Sequence, residues 1–153
     1  FGSKAGLYVF VYEYSARYMA MELQRAVSLR ERDLFLLFVQ IEEAKNVLLR
    51  NYPYMQKFLL SSSEIADEKI REEIKDYTNL SENAMNEALE RADYDRLLPG
   101  VDEKLLIRSM HYVTRGLMET ALTEKLDSEF VHREAVAFCM MMREKFTKPE
   151  HLY

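Results

Sequence analysis

The sequence predicts an all-α fold, a bundle of about six helices. Apolar residues recur at i, i+3 and i+4 in every segment, whereas the strict alternation of a half-buried strand never persists. The 153 residues include only four glycines and three prolines, which leaves little chain for turns. This length fits one domain with a substantial core. Long helices with short connections between them pack as a bundle.

The first helix is predicted to cover about residues 4–27. One apolar stripe runs along this helix, and a second group of residues beside it widens the apolar surface. The stripe contains Leu7, Val11, Tyr14, Tyr18 and Met21, and the second group contains Tyr8, Tyr12, Met19 and Leu23. A helix that is apolar around so much of its circumference is packed on more than one side.

Two N-caps compete at the start of the second helix. Ser28 and Glu31 form an S-x-x-E capping box, and Asp33 is the alternative. The second helix ends at Tyr52, because a proline disfavours the α conformation in the residue before it. Pro53 then begins a short third helix, since proline is well tolerated in a first helical turn.

The fourth helix follows a second S-x-x-E sequence, formed by Ser61 and Glu64. Residues 79–81, Asn-Leu-Ser, leave open whether this helix is continuous or interrupted. The Leu-Pro-Gly sequence at 98–100 is the clearest break in the chain.

Two long helices complete the predicted bundle. Asp102 caps the fifth, and Asp127 or Ser128 caps the sixth, which ends before Pro149. Their short connection predicts an antiparallel pair.

Composition and charge exclude several classes of protein. The net charge of −5 argues against free-standing nucleic-acid binding, which needs a dense cationic face. Cys139 is the only cysteine, so no intrachain disulfide is possible and a buried thiol in a reducing cytoplasm is expected. No apolar run approaches the roughly 18 residues of a membrane span, and no export signal precedes the first helix. The sequence therefore predicts a cytoplasmic protein that does not associate with a membrane.

Enzymatic chemistry is not expected. Glu129 and His132 form an E-x-x-H sequence, but a di-iron bundle needs two such copies, and neither His111 nor His151 has an acid three positions earlier. A solvated or interface histidine is the preferred interpretation of His132. The apolar neighbours of Cys139 raise the pKa of a thiol, and neither a nucleophile elbow nor a glycine-rich phosphate loop is present. We predict no catalytic residue, no metal and no cofactor.

Aromatic and sulfur-containing side chains are abundant, with ten tyrosines, eight phenylalanines and nine methionines. Methionine walls adapt to ligands of varied shape, and tyrosine adds a hydroxyl that can orient a polar group. Core packing is the preferred explanation for any single one of these residues, but the whole set favours a pocket between helices. The candidate ligand-binding residues are Tyr14, Tyr18, Phe38, Tyr54, Phe58, Tyr77, Met85, His111 and Arg115. For His111 the alternative is a hydrogen-bonded core histidine, and for Arg115 a surface ion pair with Glu119.

The last two helices carry apolar residues on more than one face. The core of a single domain would not need so many apolar positions. Gly116 costs about 1 kcal/mol relative to Ala inside a helix, which close approach of another helix would explain. Two such hairpins related by a two-fold axis form a four-helix interface. The candidate interface residues are Leu106, Met110, Val113, Gly116, Leu117, Val131, Ala135, Phe138 and Met142. Burial of both helices inside one chain is the alternative.

The first seven residues, Phe-Gly-Ser-Lys-Ala-Gly-Leu, resemble one junction in TetR/AcrR-type transcriptional regulators. There an F-x-[SN]-K-x-x-L segment closes the recognition helix and begins the helix that links the DNA reader to the ligand sensor. The resemblance implies that residues 1–12 are the end of a headpiece otherwise missing from this sequence, and that 13–153 bind ligand and dimerise. It also implies that Lys4 faces DNA phosphate and that a homodimer contacts operator DNA only through the headpiece.

The favoured interpretation is therefore the regulatory domain of a TetR-like repressor that senses a small apolar or amphipathic effector. The alternative is a helical interaction or scaffold module with a filled core and no pocket. An enzyme built on a helical bundle comes third.

Overall fold

The computed structural model describes residues 2–153, except for the side chains of residues 62 and 63, and confirms the all-α fold. The described part of the chain contains six α-helices and no strand. The helices are α1 (Lys4–Ala26), α2 (Leu34–Asn51), α3 (Pro53–Leu60), α4 (Glu68–Glu90), α5 (Glu103–Glu124) and α6 (Ser128–Phe146). Short 3-10 helices lie at Ser61–Glu64, Tyr94–Arg96 and Pro149–His151.

Aspartate caps begin most of the helices. Asp33, rather than Ser28 with Glu31, caps α2, and its carboxylate accepts hydrogen bonds from the backbone N–H groups of Phe35 and Leu36 at 2.9 and 3.2 Å. The prediction that Ser61 and Glu64 cap the fourth helix was wrong. Those residues form their own 3-10 turn, and α4 begins four residues later, at Glu68, with Asp67 as its cap.

The remaining helix boundaries follow the local sequence. α4 runs without a break through residues 79–81, where Leu80 packs beside the cluster of Tyr12, Ala16 and Ile74. Gly100, at a φ of +82°, supplies the turn before Asp102 and α5.

The main core surrounds α2. Phe35, Leu37, Phe38, Ile41 and Leu48 are almost completely buried there. Each such side chain contributes roughly 1.5–3 kcal/mol through removal of its apolar surface from water. α2 packs chiefly against α6 and α1, and α1 packs chiefly against α4.

The last two helices are antiparallel, as predicted. α6 begins directly after the turn that ends α5, and at its other end the carbonyl of Phe146 accepts a 2.8 Å hydrogen bond from the N–H of Leu98, just before α5. A small cluster of Met118, Ala121 and Val131 joins the two helices near the turn.

Arg143 fixes the C-terminal segment to the start of α2. Its Nε donates to Oδ2 of Asp33 at 2.8 Å, and its other nitrogens donate to the carbonyl oxygens of His151 and Leu152 at 3.0 and 3.2 Å. Because Asp33 is also the N-cap of α2, one buried carboxylate serves both elements.

None of the helices within residues 2–153 is both long enough and apolar enough to cross a membrane.

Candidate functional site

A cleft of about 580 Å³ lies between α1, α3, α4 and α5, with Lys45 of α2 reaching it from the core side. On α4, Ile74 packs with Tyr12 and Ala16 of α1, and Ala88 with Leu89 enters the main core. Residues of α4 between these contacts, from Tyr77 to Asn86, form one wall of the cleft. This volume is typical of a site for a small molecule.

Apolar side chains from four helices line the cleft. They are Tyr12, Ala16 and Met19 on α1, Leu59 and Leu60 on α3, Tyr77 and Met85 on α4, and Ile107 and Met118 on α5. Three of the nine are methionines, whose flexible thioethers can adjust to the shape of a ligand. The surface of the cleft therefore suits an apolar molecule.

Gln56 is a buried polar residue among these apolar side chains. Its side chain is 5% exposed, and its Oε1 is buried without a hydrogen-bond partner. The side chain lies in the first turn of α3, whose start is set by Pro53, and it lines the cleft. A buried amide oxygen without a partner is unfavourable by about 1–3 kcal/mol.

A buried ion pair supports the same surface from α2. Nζ of Lys45 lies 2.9 Å from Oε1 of Glu42, and only a small part of either side chain is exposed. Lys45 lines the cleft, whereas Glu42, which neutralises its charge, does not. Such a pair stabilises little by itself, but removal of one partner leaves an uncompensated buried charge.

His111 lies on the α5 wall with its ring 5.1 Å from that of Phe38, centroid to centroid. Burial lowers the pKa of this imidazole below its usual 6.5, and the nearby Lys45 cation lowers it further. His111 is therefore neutral at neutral pH, and one ring nitrogen can donate while the other accepts.

The mouth of the cleft is polar. Glu82, Arg108, Tyr112 and Arg115 line it and are exposed. Nε of Arg115 donates to Oε1 of Glu119 at 3.0 Å, which is the surface ion pair expected as the alternative for this residue. Arg115 thus forms the ion pair and borders the cleft as well.

The structure brings together four of the nine predicted ligand-binding residues: Tyr77, Met85, His111 and Arg115. The other five lie outside the cleft. Phe38 is part of the core behind His111, and Phe58 packs on Tyr8 with ring centroids 4.6 Å apart. The ring of Tyr18 meets that of Tyr52 edge-on, and Tyr14 and Tyr54 are 57% and 86% exposed. The helical period alone does not tell which face of α1 or α3 lines the cleft and which face packs elsewhere or is exposed.

Most lining residues were absent from the sequence-based set, among them Tyr12, Lys45, Gln56 and Arg108. Two of them carried a usable signal. Lys45 falls in the apolar stripe of α2, and Gln56 falls at the i−3 and i−4 positions of Leu59 and Leu60. A polar residue within an apolar stripe is either paired or next to a cavity.

Four of the nine candidate interface residues belong to the core of the single chain. Leu106, Met110, Val131 and Ala135 are buried without a partner subunit, because α6 packs its inner face on α2 and α5 covers the main cluster. Leu117, Phe138 and Met142 are half-buried, and Val113 is 47% exposed. At Gly116 no atom beyond its chain neighbours and the nearby backbone of α5 lies within 4 Å of the position that a Cβ would occupy.

Apolar side chains remain exposed on the outer faces of α5 and α6. They are Leu105, Tyr112 and Val113 on α5, and Phe130, Met140 and Met141 on α6. Gly116 lies on the same side of α5 as Leu105 and Tyr112, at helical spacing. We call these six residues together with Gly116 the outer face.

The histidine and cysteine considered for chemistry lie away from the cleft. Nδ1 of His132 is 3.1 Å from Oε2 of Glu43, an ion-pair distance without the geometry of a hydrogen bond. Burial raises the pKa of the Cys139 thiol to about 12. Within residues 2–153, no three His, Cys, Asp or Glu side chains come together in a group that could hold a metal ion.

Lys4 is the first residue of α1 and is exposed, directly after the N-cap Ser3, whose hydroxyl accepts from the N–H of Gly6 at 3.0 Å. Phe1, with which the TetR-like junction begins, lies outside the described residues. No protein-family model, curated protein or solved structure matches this chain.

Proposed function

We propose that residues 13–153 form the effector-sensing and dimerising domain of a TetR-like transcriptional repressor, with residues 1–12 leading from its DNA-binding headpiece. The cleft is the observation that carries this proposal. It is large enough for a small molecule, and α1, the helix that would lead to the headpiece, forms one of its walls.

Ligand binding would act by a shift of population. α1 contributes Tyr12, Ala16 and Met19 to the cleft and packs on α4, which forms the facing wall. A ligand that fits one separation of α1 and α4 better than another favours that arrangement by the difference in its two binding free energies. A difference of about 5.5 kcal/mol reverses a 99:1 population.

Dimerisation would convert this movement into a change of DNA affinity. The outer face offers exposed apolar side chains on two antiparallel helices, which is the surface that a four-helix interface needs. In such a dimer the two copies of α1 set the distance between two DNA readers. That distance must match half-sites about one helical turn apart on the operator.

The alternative is an interaction or scaffold module that uses exposed apolar surface and takes no ligand. One observation favours it. Leu7, Val11, Tyr14 and Met21 are exposed at helical spacing along α1, away from the cleft. A stripe of this kind suits the groove of a partner helix.

A neutral apolar dye separates the two functions. Nile red should bind in the cleft with a rise in fluorescence, and Ser81→Trp, which adds a large side chain to the α4 wall, should weaken that binding about tenfold or more. The matched control is Asn79→Trp, an exposed position on the same helix outside the cleft. Equal binding by the wild type and both variants would place the dye on exposed surface and favour the scaffold function.

A further inference from the structure

Helix α5 presents two rows of side chains to the cleft. The inner row is buried or half-buried and consists of Ile107, His111 and Met118. The rim row is exposed and consists of Arg108, Tyr112 and Arg115. Helical positions four and three residues apart lie on one side of a helix, so the rim row follows the mouth of the cleft. A ligand that fills the cleft therefore meets largely apolar surface inside and cationic side chains at the mouth.

Arg108 is available to a ligand. Its guanidinium forms neither an ion pair nor a hydrogen bond with any residue that the structure describes. The other two cations of the lining are paired, Lys45 with Glu42 and Arg115 with Glu119. The planar fork of a guanidinium can bind both oxygens of a carboxylate at once. Arg108 therefore suits an anionic ligand group.

The charges of the lining favour an anion over a cation. Among the described residues that line the cleft, three of the four charged ones are cations, although the whole chain carries a net charge of −5. Glu42 and Glu119, which neutralise two of these cations, do not line the cleft. The remaining charge is Glu82 on the α4 wall, which forms no ion pair within the described part of the chain. An alkylammonium group could bind only this glutamate.

The position of Arg108 at the mouth also keeps the cost of an ionic group low. A head group bound to an exposed guanidinium stays in contact with water, whereas a charge in the inner part would lose its hydration. An apolar chain gains in the opposite direction. It is removed from water on the surface that Met19, Leu59 and Met85 form inside the cleft.

We propose that the ligand is an anionic amphiphile, whose carboxylate binds Arg108 at the mouth of the cleft and whose apolar chain lies on the methionine and leucine surface inside. This inference rests on the proposed function and adds the class of effector and the residue that selects it.

Competition with Nile red tests this class with three compounds that share one apolar chain. They are octanoate, 1-octanol and octylammonium. We expect octanoate to displace the dye from the wild type at about fivefold lower concentration than 1-octanol, with octylammonium the weakest. The preference for octanoate should shrink at about 1 M NaCl, because salt screens exposed charges.

Two substitutions on facing walls should change this preference in opposite directions. Arg108→Gln removes the cation and should abolish the preference of octanoate over 1-octanol, whereas Glu82→Gln removes the opposing carboxylate and should increase it. Binding of uncharged 1-octanol should stay the same in both. The matched control is Arg133→Gln, at an exposed position of α6 outside the cleft, which should keep the fivefold preference. Unfolding curves establish that the variants are folded.

The outcomes separate the two proposals. Equal displacement by octanoate and 1-octanol, strongest displacement by octylammonium, or a preference that survives in Arg108→Gln would overturn the ligand class and leave the sensing function in place. Failure of all three compounds to displace dye bound in the cleft would do the same. Failure of Nile red itself to bind in the cleft would contradict both proposals.

Discussion

At the residue scale, the buried ion pair between Asp33 and Arg143 connects α6 to the start of α2. Asp33 and Arg143 are far apart in sequence, and the arginine also binds the two carbonyl groups that hold the C-terminal segment. Most other ion pairs in the described part of the chain join residues three or four apart within the same helix, and many of these lie on its exposed side. Exposed pairs of that kind contribute about 0.5 kcal/mol or less.

Arg143→Met should lower the free energy of unfolding by about 3 kcal/mol, because it leaves the buried carboxylate of Asp33 without its counter-ion. Urea denaturation followed by circular dichroism measures this loss. Arg17→Met is the matched control, since Arg17 pairs with Glu13 on the exposed side of α1. Equal effects of the two variants would contradict the role assigned to Arg143.

His111 makes stability depend on pH. Its pKa in the folded state lies below 6.5, so the unfolded chain binds the proton more strongly. The stability that neutral His111 contributes is present above pH 6.5 and is lost as the pH falls towards the lowered pKa. His111→Gln should flatten the decline of unfolding free energy between pH 7 and pH 5, and an unchanged slope would contradict this.

Cys139 should be inert in the native protein. Burial raises its pKa to about 12, so almost no thiolate exists at pH 8 and the sulfur is inaccessible. Reaction with Ellman's reagent should be undetectable over minutes in buffer and complete in 8 M urea. Rapid reaction of the folded protein would mean that the core around α2 and α6 opens.

At the element scale, the turn between α5 and α6 carries identifiable strain. Lys125, the C-cap of α5, has a φ of 54° in the left-handed region, which favours glycine. Lys125→Gly should therefore raise the free energy of unfolding by about 0.5–1 kcal/mol.

The control for this turn is Glu124→Gly, one residue earlier. Glu124 is the last residue of α5 and is exposed, so glycine there should lower stability by up to about 1 kcal/mol. Opposite signs at adjacent positions in thermal unfolding would establish that the left-handed conformation, rather than the side chain, decides the effect. Destabilisation by both would contradict it.

The helices were predictable from the sequence because their signals are local. Asp102 and Asp127 cap α5 and α6 as expected, and the Pro-Gly sequence at 99–100 separates α4 from α5. The S-x-x-E sequences were misleading because two nearby aspartates, Asp33 and Asp67, cap α2 and α4 with their own side chains.

The candidate site was only partly predictable. Which side of an aromatic helix faces a cleft depends on how the helices pack, and that is not a local property. Tyr14 and Tyr12 are two residues apart on α1, yet Tyr14 is exposed and Tyr12 lines the cleft. Gln56 could have been chosen only with the knowledge that its amide oxygen lacks a partner.

At the scale of the whole molecule, α5 carries both the outer face and one wall of the cleft. His111 and Met118 line the cleft, Leu105 and Gly116 belong to the outer face, and Tyr112 belongs to both. A ligand that moves α5 would therefore also act on a subunit interface built on the outer face.

Gly116→Leu tests that interface without harm to the fold. The chain itself leaves open space at this glycine, and leucine favours a helix over glycine by nearly 1 kcal/mol, so the variant should fold at least as stably. In sedimentation velocity the wild type should be a dimer and Gly116→Leu largely a monomer. Gly116→Ala, with its small side chain, should stay dimeric. A wild-type monomer, or a dimer in all three, would contradict the interface.

The central claim is that a ligand in the cleft moves α1, and one distance measures it directly. A spin label on Ala5→Cys marks the exposed start of α1 in each subunit of the proposed dimer, and buried Cys139 stays unlabelled. We expect double electron–electron resonance to give one inter-subunit distance that shifts by on the order of 2 Å or more when Nile red saturates the cleft. The same distance with and without bound ligand, or no inter-subunit distance at all, would contradict the account.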